Sequence, residues 1–180
     1  MLQIDPAQID NQRIGRMGEL VVELELIARG WHVGNFNATT NNSAGWDLFA
    51  TKTGRSVKLR VKSKRPGTDC FRWSARADGS ILHSLVPHDD TDYVAAVAFH
   101  AVGGYDVYIV PSVVVERTLA ENHAAYLAQP KADGTPRRDT TQRNLHMDDR
   151  EDRPGHGYKR LWDTYRDAWD RLGTPDNSCS

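Results

Sequence analysis

The chain has 180 residues, of which 39% are hydrophobic, and this size suits one compact domain rather than two. Its 23 Lys and Arg residues almost balance its 24 Asp and Glu residues, so a net charge of -1 excludes a global positive field that would attract nucleic acid or a membrane. The longest apolar run, residues 94–99, is too short to span a membrane, and the first residues lack the features of a secretion signal. Two cysteines exclude a disulfide scaffold, so we expect a cytoplasmic protein.

The first part of the chain predicts a helix followed by three strands. Apolar residues recur at helical spacing over residues 13–29, and Gly30 follows them as a typical helix end. Additional apolar positions beside the main stripe predict that this helix is largely buried. Strand-forming stretches at residues 31–37, 46–53 and 56–64 predict a three-stranded meander.

The middle of the chain predicts a hairpin and a second helix. Residues 92–99 and 105–110 are rich in strand-forming residues and are separated by the turn residues Gly103 and Gly104. The first of these strands is apolar at nearly every position, which is typical of a central strand covered on both faces. A helix is predicted from Ser112 to about residue 129.

The last part of the chain predicts a polar loop and a C-terminal helix. Residues 130–157 contain few aliphatic side chains, too few to offset the entropy of ordering them. Residues 158–173 then place apolar side chains at helical spacing, which predicts an amphipathic helix that packs on the same domain as residues 1–129. Its apolar stripe, a core or subunit contact, consists of Tyr158, Leu161, Trp162, Tyr165, Trp169 and Leu172.

One strand carries a concentration of positive charge. Residues 52–65 contain seven basic residues, and no acid lies between Asp47 and Asp69. Because alternate side chains of a strand share a face, four of these cations project together: Lys58, Arg60, Lys62 and Lys64. Such a row can neutralise backbone phosphates of a nucleic acid. The alternative is a solvated face that blocks unwanted pairing at a sheet edge.

Four segments carry a resemblance to a known family. They are GRMGELVVELELIARGW at residues 15–31, GWDLFA at 45–50, VKLRVKSK at 57–64 and YDVYIVPS at 105–112. In this order they resemble a small member of the PD-(D/E)XK nuclease superfamily. The resemblance covers residues 13–112 and implies an α/β, restriction-endonuclease-like fold, in which helices flank a mixed sheet and a helical crossover follows the meander.

The resemblance also implies a metal-dependent nuclease that cleaves DNA phosphodiesters. The family's helix glutamate corresponds to Glu19, its metal-binding aspartate to Asp47 and its lysine to Lys62. Asp47 and Glu19 would hold Mg²⁺, for which Mn²⁺ can substitute, and Lys62 would orient or activate the attacking water. DNA is the implied partner. Because many relatives act as dimers, a homodimer is an alternative to a monomer.

Arg60 departs from the family pattern. It stands two residues before Lys62, where the family has a Glu or Gln that ordinarily binds the metal, and a guanidinium cannot ligate Mg²⁺. Activity would survive if Glu23 or Glu25 replaced the missing carboxylate, or if Arg60 stabilised charge on the phosphate. The alternative is an inactive module that binds nucleic acid or a protein. For the nuclease as for a nucleic-acid-binding module, the phosphate contacts would come from Lys58, Arg60, Lys64 and Arg65. A third function is a small interaction protein that assembles through its C-terminal aromatic residues.

Two further groups have functional alternatives. Phe71 and Trp73 follow the basic strand and could stack on nucleic-acid bases, although core packing is the favoured interpretation. The polar loop contains His146, Asp148, Asp149 and His156, which could bind a cation. Since a flexible region rarely holds ligands in place, we expect these side chains to be solvated.

Overall fold

The computed structural model of the protein describes residues 9–36, 45–76, 92–150 and 156–173. Within these residues the chain forms three α-helices and seven strands. In chain order they are α1 (Asn11–Ala28), β1 (His32–Asn35), β2 (Leu48–Lys52), β3 (Arg55–Lys64), β4 (Cys70–Ser74), β5 (Asp92–Phe99), β6 (Tyr105–Pro111), α2 (Ser112–Ala128), β7 (Gln142–His146) and α3 (Tyr158–Trp162).

Five of the strands form one mixed sheet in the order β1-β2-β3-β5-β6. Strands β3 and β5 are parallel, and the other neighbours are antiparallel. The predictions of a mixed α/β sheet flanked by helices, of a meander and of the β5–β6 hairpin are therefore confirmed. Strand β5 lies between β3 and β6 with every residue buried, as its continuous apolar sequence predicted.

A two-stranded antiparallel sheet, β4 with β7, lies outside the main sheet. Strand β4 occupies part of the connection between β3 and β5, where the resemblance implied a helical crossover. The remainder of that connection, residues 77–91, lies outside the described residues.

The main sheet has a hydrophobic core on each face. The first core joins α1 to one face of the sheet, through Ile14, Val22, Leu26, Leu48, Ala50, Val57, Leu59, Ala95, Val97 and Ile109. The second joins β4, β7 and α2 to the other face, through Phe71, Trp73, Val94, Ala96, Val110, Val115, Leu119 and Leu145. Neighbouring residues of β5 alternate between the two lists, as the period of a strand requires.

Helix α1 begins where Asp10 caps it, its carboxylate accepting a hydrogen bond of 2.8 Å from the Arg13 N–H. One stripe of the helix faces the sheet and is buried: Ile14, Gly18, Val22 and Leu26. On the opposite side Leu24 is 64% exposed and Ile27 is 53% exposed. The prediction that this helix is largely buried is wrong, because the described residues cover only one of its apolar stripes.

Strand β7 lies within the segment predicted as a polar loop. Arg143 and Leu145 are buried, and the strand pairs with β4 so that Leu145 is opposite Phe71. Because this strand carries a single aliphatic side chain, its order comes from pairing with β4 rather than from its own composition.

The C-terminal helix begins at Tyr158 as predicted, but it ends at Trp162. Two 3₁₀ helices, Asp163–Tyr165 and Trp169–Arg171, replace the rest of the predicted helix. The helix is interrupted because the chain turns toward the edge of the main sheet. At that turn Asp167 has a φ of 52°, and its N–H donates a hydrogen bond of 2.8 Å to the Val107 carbonyl.

The C-terminal aromatic residues pack in the cores of the same chain. Trp162 belongs to the second core, whereas Trp169 and Leu172 belong to the first. The segment therefore contacts both faces of the sheet, and these three side chains are core contacts.

Two further findings concern the helices and the cysteines. Among the described residues, no helix combines the length and the apolar character needed to cross a membrane. Cys70 is buried with a free thiol, and Cys179 lies outside the described residues.

The close approach of α1 to β3 requires glycine at position 18. A Cβ atom added there would lie 1.9 Å from Ser63 Oγ and 3.2 Å from Ser63 Cβ. We expect Gly18→Ala to lower the free energy of unfolding by about 1–3 kcal/mol. Adding Ser63→Ala removes the closest contact and should restore part of that loss. Urea denaturation followed by circular dichroism measures both effects.

Gly15 is the matched control, because it lies in the same helix and an added Cβ there meets nothing within 4 Å. Gly15→Ala should raise the free energy of unfolding by about 0.5–1 kcal/mol, the usual difference in helix propensity. Equal changes for Gly15→Ala and Gly18→Ala would contradict the packing of α1 on β3.

Candidate nucleic-acid interface

Asp47 lies immediately before β2, beside the middle of β3. Its N–H donates a hydrogen bond of 3.0 Å to the Leu59 carbonyl. Its side chain turns back to β3, where Oδ2 accepts a hydrogen bond of 2.7 Å from the Val61 N–H. At the start of β2 the carboxylate thus gives the Val61 N–H the acceptor that a backbone carbonyl would supply within the sheet. This contact fixes the carboxylate against the strand that carries the basic residues.

The four predicted cations of β3 share one face of the sheet, as the alternation required. Val57 and Leu59 belong to the core under α1, so the residues between them face the second core. Lys62 confirms this orientation, since its Nζ lies 6.0 Å from the centre of the Trp73 ring. All four cations are half-buried, and β3 pairs with β2 on one side and β5 on the other. The alternative of a solvated edge strand is therefore wrong.

Three of the basic residues contact groups of this chain. Lys58 Nζ lies 3.2 Å from the buried Asp92 carboxylate. Lys64 Nζ donates a hydrogen bond of 3.0 Å to the Thr68 carbonyl. Arg65 Nη1 donates one of 3.5 Å to the Ile9 carbonyl. Through these contacts the three side chains stabilise the fold at the two ends of the row of basic residues.

Arg60 and Lys62 form the middle of the row and have a different environment. Arg60 Nη1 is buried and has no hydrogen-bond partner among the described residues. Burial lowers the pKa of the Arg60 guanidinium from its ordinary value; Asp47 opposes this change and Arg76 adds to it. Burial also lowers the pKa of the Lys62 ammonium, as does the charge of Arg60, while Asp47 raises it. Two partly desolvated cations thus share the influence of one carboxylate.

Glu19 lies on α1, the helix that packs on the opposite face of the sheet from Lys62. Its carboxylate accepts a hydrogen bond of 2.8 Å from Arg16 Nη1, and its side chain is 16% exposed. On the same helix Glu23 accepts a hydrogen bond of 3.3 Å from the Asn35 side chain, and Glu25 accepts one of 2.7 Å from the Tyr105 hydroxyl. The role of Glu19 as a metal ligand stays a prediction.

The donor set around Asp47 suits an anion better than Mg²⁺. Mg²⁺ takes six oxygen ligands in an octahedron, several of them water, and a carboxylate usually anchors it. Here one oxygen of the Asp47 carboxylate already accepts from the Val61 N–H, and the neighbouring charges on Arg60 and Lys62 repel a cation. The described residues near Asp47 therefore do not make a resident Mg²⁺ site by themselves.

The aromatic residues after the basic strand belong to the core. Phe71 is fully buried and Trp73 is 3% exposed, with their ring centres 6.0 Å apart. Neither ring is available to stack on a base, so core packing, the favoured interpretation, is confirmed. Trp73 also forms the wall against which Lys62 lies.

The histidines of the predicted polar loop are organised rather than solvated. Asp148 Oδ2 lies 2.7 Å from His156 Nδ1, and the His156 and His146 rings stack with their centres 4.1 Å apart. Burial would raise the pKa of the Asp148 carboxyl, but hydrogen bonds from the Gly157 N–H, His156 and Arg150 lower it well below its usual range. The sequence expectation holds for Asp149, which is exposed, and fails for the other three residues, because pairing of β7 with β4 fixes His146 and Asp148 then fixes the chain around His156. The sequence signal that could have indicated this arrangement is the recurrence of His and Asp every few residues in this segment.

Comparison with solved structures gives a distant structural likeness. No protein-family model matches the chain, and no curated protein matches its sequence. The chain is similar to the structure of a bacterial homing endonuclease, I-Ssp6803I, with 18% sequence identity, a TM-score of 0.46 and 89% of each chain covered.

The hydrogen bond between Asp47 and β3 can be tested with two substitutions at that position. Asp47→Ala leaves the Val61 N–H without its acceptor and should lower the free energy of unfolding by about 1–3 kcal/mol. Asp47→Asn keeps an acceptor oxygen and should cost less. Both variants remove the same negative charge, so the difference between them in urea denaturation isolates the hydrogen bond. Equal losses of stability would contradict this contact.

Proposed function

We propose that the protein binds the phosphodiester backbone of DNA through the face of β3 that carries Arg60 and Lys62, on a scaffold of the PD-(D/E)XK nuclease type. The observation that carries this proposal is the buried Arg60 Nη1, which has no hydrogen-bond partner among the described residues. A buried donor without a partner costs free energy, and a phosphate toward which the half-buried Arg60 side chain turned would recover that cost.

A phosphate group matches this arrangement in charge and in hydrogen bonding. Arg60 and Lys62 place two positive charges near the single charge of Asp47, and Arg76 also acts on Arg60, so positive charge is in excess in this half-buried position. A phosphodiester supplies one negative charge and several acceptor oxygens. A guanidinium binds such a group with paired hydrogen bonds, and an ammonium binds it as a point charge. Both interactions are stronger where water is partly excluded.

The flanking cations extend this surface without forming its centre. Lys58 and Lys64 lie on the same face, but the first is paired with Asp92 and the second holds the Thr68 carbonyl. They add positive potential along the strand, and a DNA backbone can follow that potential. Since the net charge of the chain is -1, attraction to DNA depends on this local surface. The proposed contacts come from one chain and do not require a homodimer.

Binding should fall as salt rises, because each phosphate contact releases condensed counterions. We expect Arg60→Gln and Lys62→Gln each to weaken binding to duplex DNA by at least about tenfold. Each should also reduce the slope of log affinity against log salt by about 1. Fluorescence anisotropy of a labelled duplex across a salt series measures both quantities.

Arg55→Gln is the matched control, because Arg55 is an exposed cation at the start of the same strand. It removes the same charge outside the proposed site, so it should change affinity and slope much less. Equal effects of Arg55→Gln and Arg60→Gln would mean that only general charge attraction is present. Circular dichroism of each variant separates loss of binding from loss of folding.

Mg²⁺-dependent hydrolysis of DNA is a second candidate function. It is favoured by the position of Asp47, which the Val61 N–H holds on the strand that carries Lys62. These are two of the three residues that the resemblance assigns to catalysis. A bound phosphate would offset the charges of Arg60 and Lys62 and reduce their repulsion of a metal ion. If bound, the ion would act as a Lewis acid on the scissile phosphate.

Asp47→Asn distinguishes the two functions. Removing a negative charge beside Arg60 and Lys62 should strengthen DNA binding, while hydrolysis that depends on Asp47 should disappear. Supercoiled DNA incubated with Mg²⁺ or Mn²⁺ reports nicking, and anisotropy reports binding. Cleavage by the wild type that is lost in Asp47→Asn would establish the nuclease. Binding without cleavage in either protein would leave the binding function alone.

A further inference from the structure

A second cluster of ionisable side chains lies where β7 leads into α3. It consists of His146, Asp148 and His156, and one nitrogen or oxygen from each lies within 4.8 Å of the other two. All three side chains are half-buried. None of them takes part in the proposed DNA contacts, so a ligand bound here does not depend on DNA binding.

The spacing within the cluster is close to that of a metal coordination shell. Asp148 Oδ2 lies 2.7 Å from His156 Nδ1, and the two imidazole rings stack with centres 4.1 Å apart. Ligand atoms around tetrahedral Zn²⁺ lie about 3.4 Å from one another. Small rotations of the His146 and His156 side chains would therefore bring the three donor atoms around one ion.

A carboxylate outside this set lies beside one of the rings. Asp69 Oδ2 lies 3.2 Å from His146 Nδ1. Histidines that bind metals commonly contact such a carboxylate through the nitrogen that does not face the metal, and this contact orients the ring. Asp69 is thus placed to take this supporting role, although His146 Nδ1 as it stands makes no hydrogen bond among the described residues.

We propose that His146, Asp148 and His156 bind one divalent transition metal ion of the Zn²⁺ class. Imidazole nitrogen together with one carboxylate favours Zn²⁺, Co²⁺ or Ni²⁺ over Mg²⁺ and Ca²⁺, which prefer ligand sets made of oxygen alone. Both histidines line a cavity of about 710 Å³ between α2 and β7, which provides a path for the ion and room for a water ligand.

Arg150 supplies positive charge to the cluster in the absence of a metal. Its guanidinium pairs with the Asp148 carboxylate and lies 3.6 Å from Asp69 Oδ2. A divalent ion bound by Asp148 would compete with this guanidinium for the same oxygen. Arg150 is exposed and can move into solvent, so its displacement requires no change in the core.

A metal at this position would fasten the C-terminal segment to the small sheet. His146 ends β7, whereas His156 lies two residues before α3, whose Trp162 packs in the second core. The ion would close the connection between them and stabilise the docked form of the segment. The expected consequence is structural, namely a rise in the melting temperature when Zn²⁺ is added.

The test is isothermal titration of the full-length, tag-free protein with ZnCl₂, together with the absorption spectrum of the Co²⁺ form. We expect one Zn²⁺ per chain, a tetrahedral Co²⁺ spectrum, a higher melting temperature with Zn²⁺, and no binding of Mg²⁺ at this site. His146→Ala and His156→Asn should each weaken Zn²⁺ binding by at least about 100-fold, the upper end of the effect of groups that only orient ligands. Arg150→Gln should strengthen binding, because it removes the competing cation.

Two variants control for other sites. His123 lines the same cavity but contacts Asp139 and Tyr126 instead, so His123→Ala should leave Zn²⁺ affinity unchanged. Cys70→Ser tests the neighbouring group of Asp69, Cys70 and His146, and it should also leave the affinity unchanged. Wild-type protein that binds no Zn²⁺, or affinity that survives His156→Asn but is lost in Cys70→Ser, would overturn the proposal. Melting curves in EDTA show whether each variant is folded.

Discussion

Strand β3 places apolar side chains on one face and cations on the other, and both faces lie against the core of the protein. The rest of the structure depends on this constraint. Its odd-numbered residues Val57 and Leu59 lie in the core under α1, so its even-numbered cations face the second core. Because β2 and β5 pair with both edges of the strand, these cations cannot turn away into solvent at an edge. Buried charge needs a partner, and the surrounding chain supplies several. Asp92 at the start of β5 and the Thr68 carbonyl after β3 take the two outer lysines.

The Asp47 carboxylate has two roles, one as a hydrogen-bond acceptor in the sheet and one as a negative charge beside the cations. Its carboxylate accepts from the Val61 N–H where β2 no longer provides a backbone acceptor. The same charge offsets part of the burial cost of Arg60 and Lys62, whose pKa values are lowered by burial and raised by Asp47. One carboxylate cannot balance two cations. The excess charge remains at the centre of the row, because the outer partners are already engaged.

The sequence predicted the elements whose signals are local and missed those that depend on distant pairing. Helix α1 and strand β3 each carry a complete periodic pattern and strand β5 a continuous apolar run, and their positions were correct to within about two residues. Strand β7 has one aliphatic residue and is ordered by β4, which lies about 70 residues earlier in the chain, so its own composition gave no signal. The C-terminal helix carried the right period, but contact with β6 turned the chain at Asp167.

The candidate site was predictable in the same partial way. Alternation alone placed Lys58, Arg60, Lys62 and Lys64 on one face, and the resemblance pointed to Asp47. Which cations are engaged within the chain depends on the register of β3 with β5 and on the turn after β3. The pairing of Lys58 with Asp92 follows directly from that register. The arrangement around His146 depends on the pairing of β4 with β7, which the local recurrence of His and Asp does not by itself encode.

Arg60 changes what the site can select. A carboxylate at this position would make the neighbourhood of Asp47 attractive to a cation, and the cation would in turn bring in phosphate. A guanidinium has the opposite effect: it repels the cation and attracts the phosphate directly. The position of Asp47 is compatible with either charge, since the Val61 N–H holds it independently of Arg60. Under the proposed function, the charge at position 60 would therefore decide whether this face of β3 reaches phosphate through a metal ion or binds it directly.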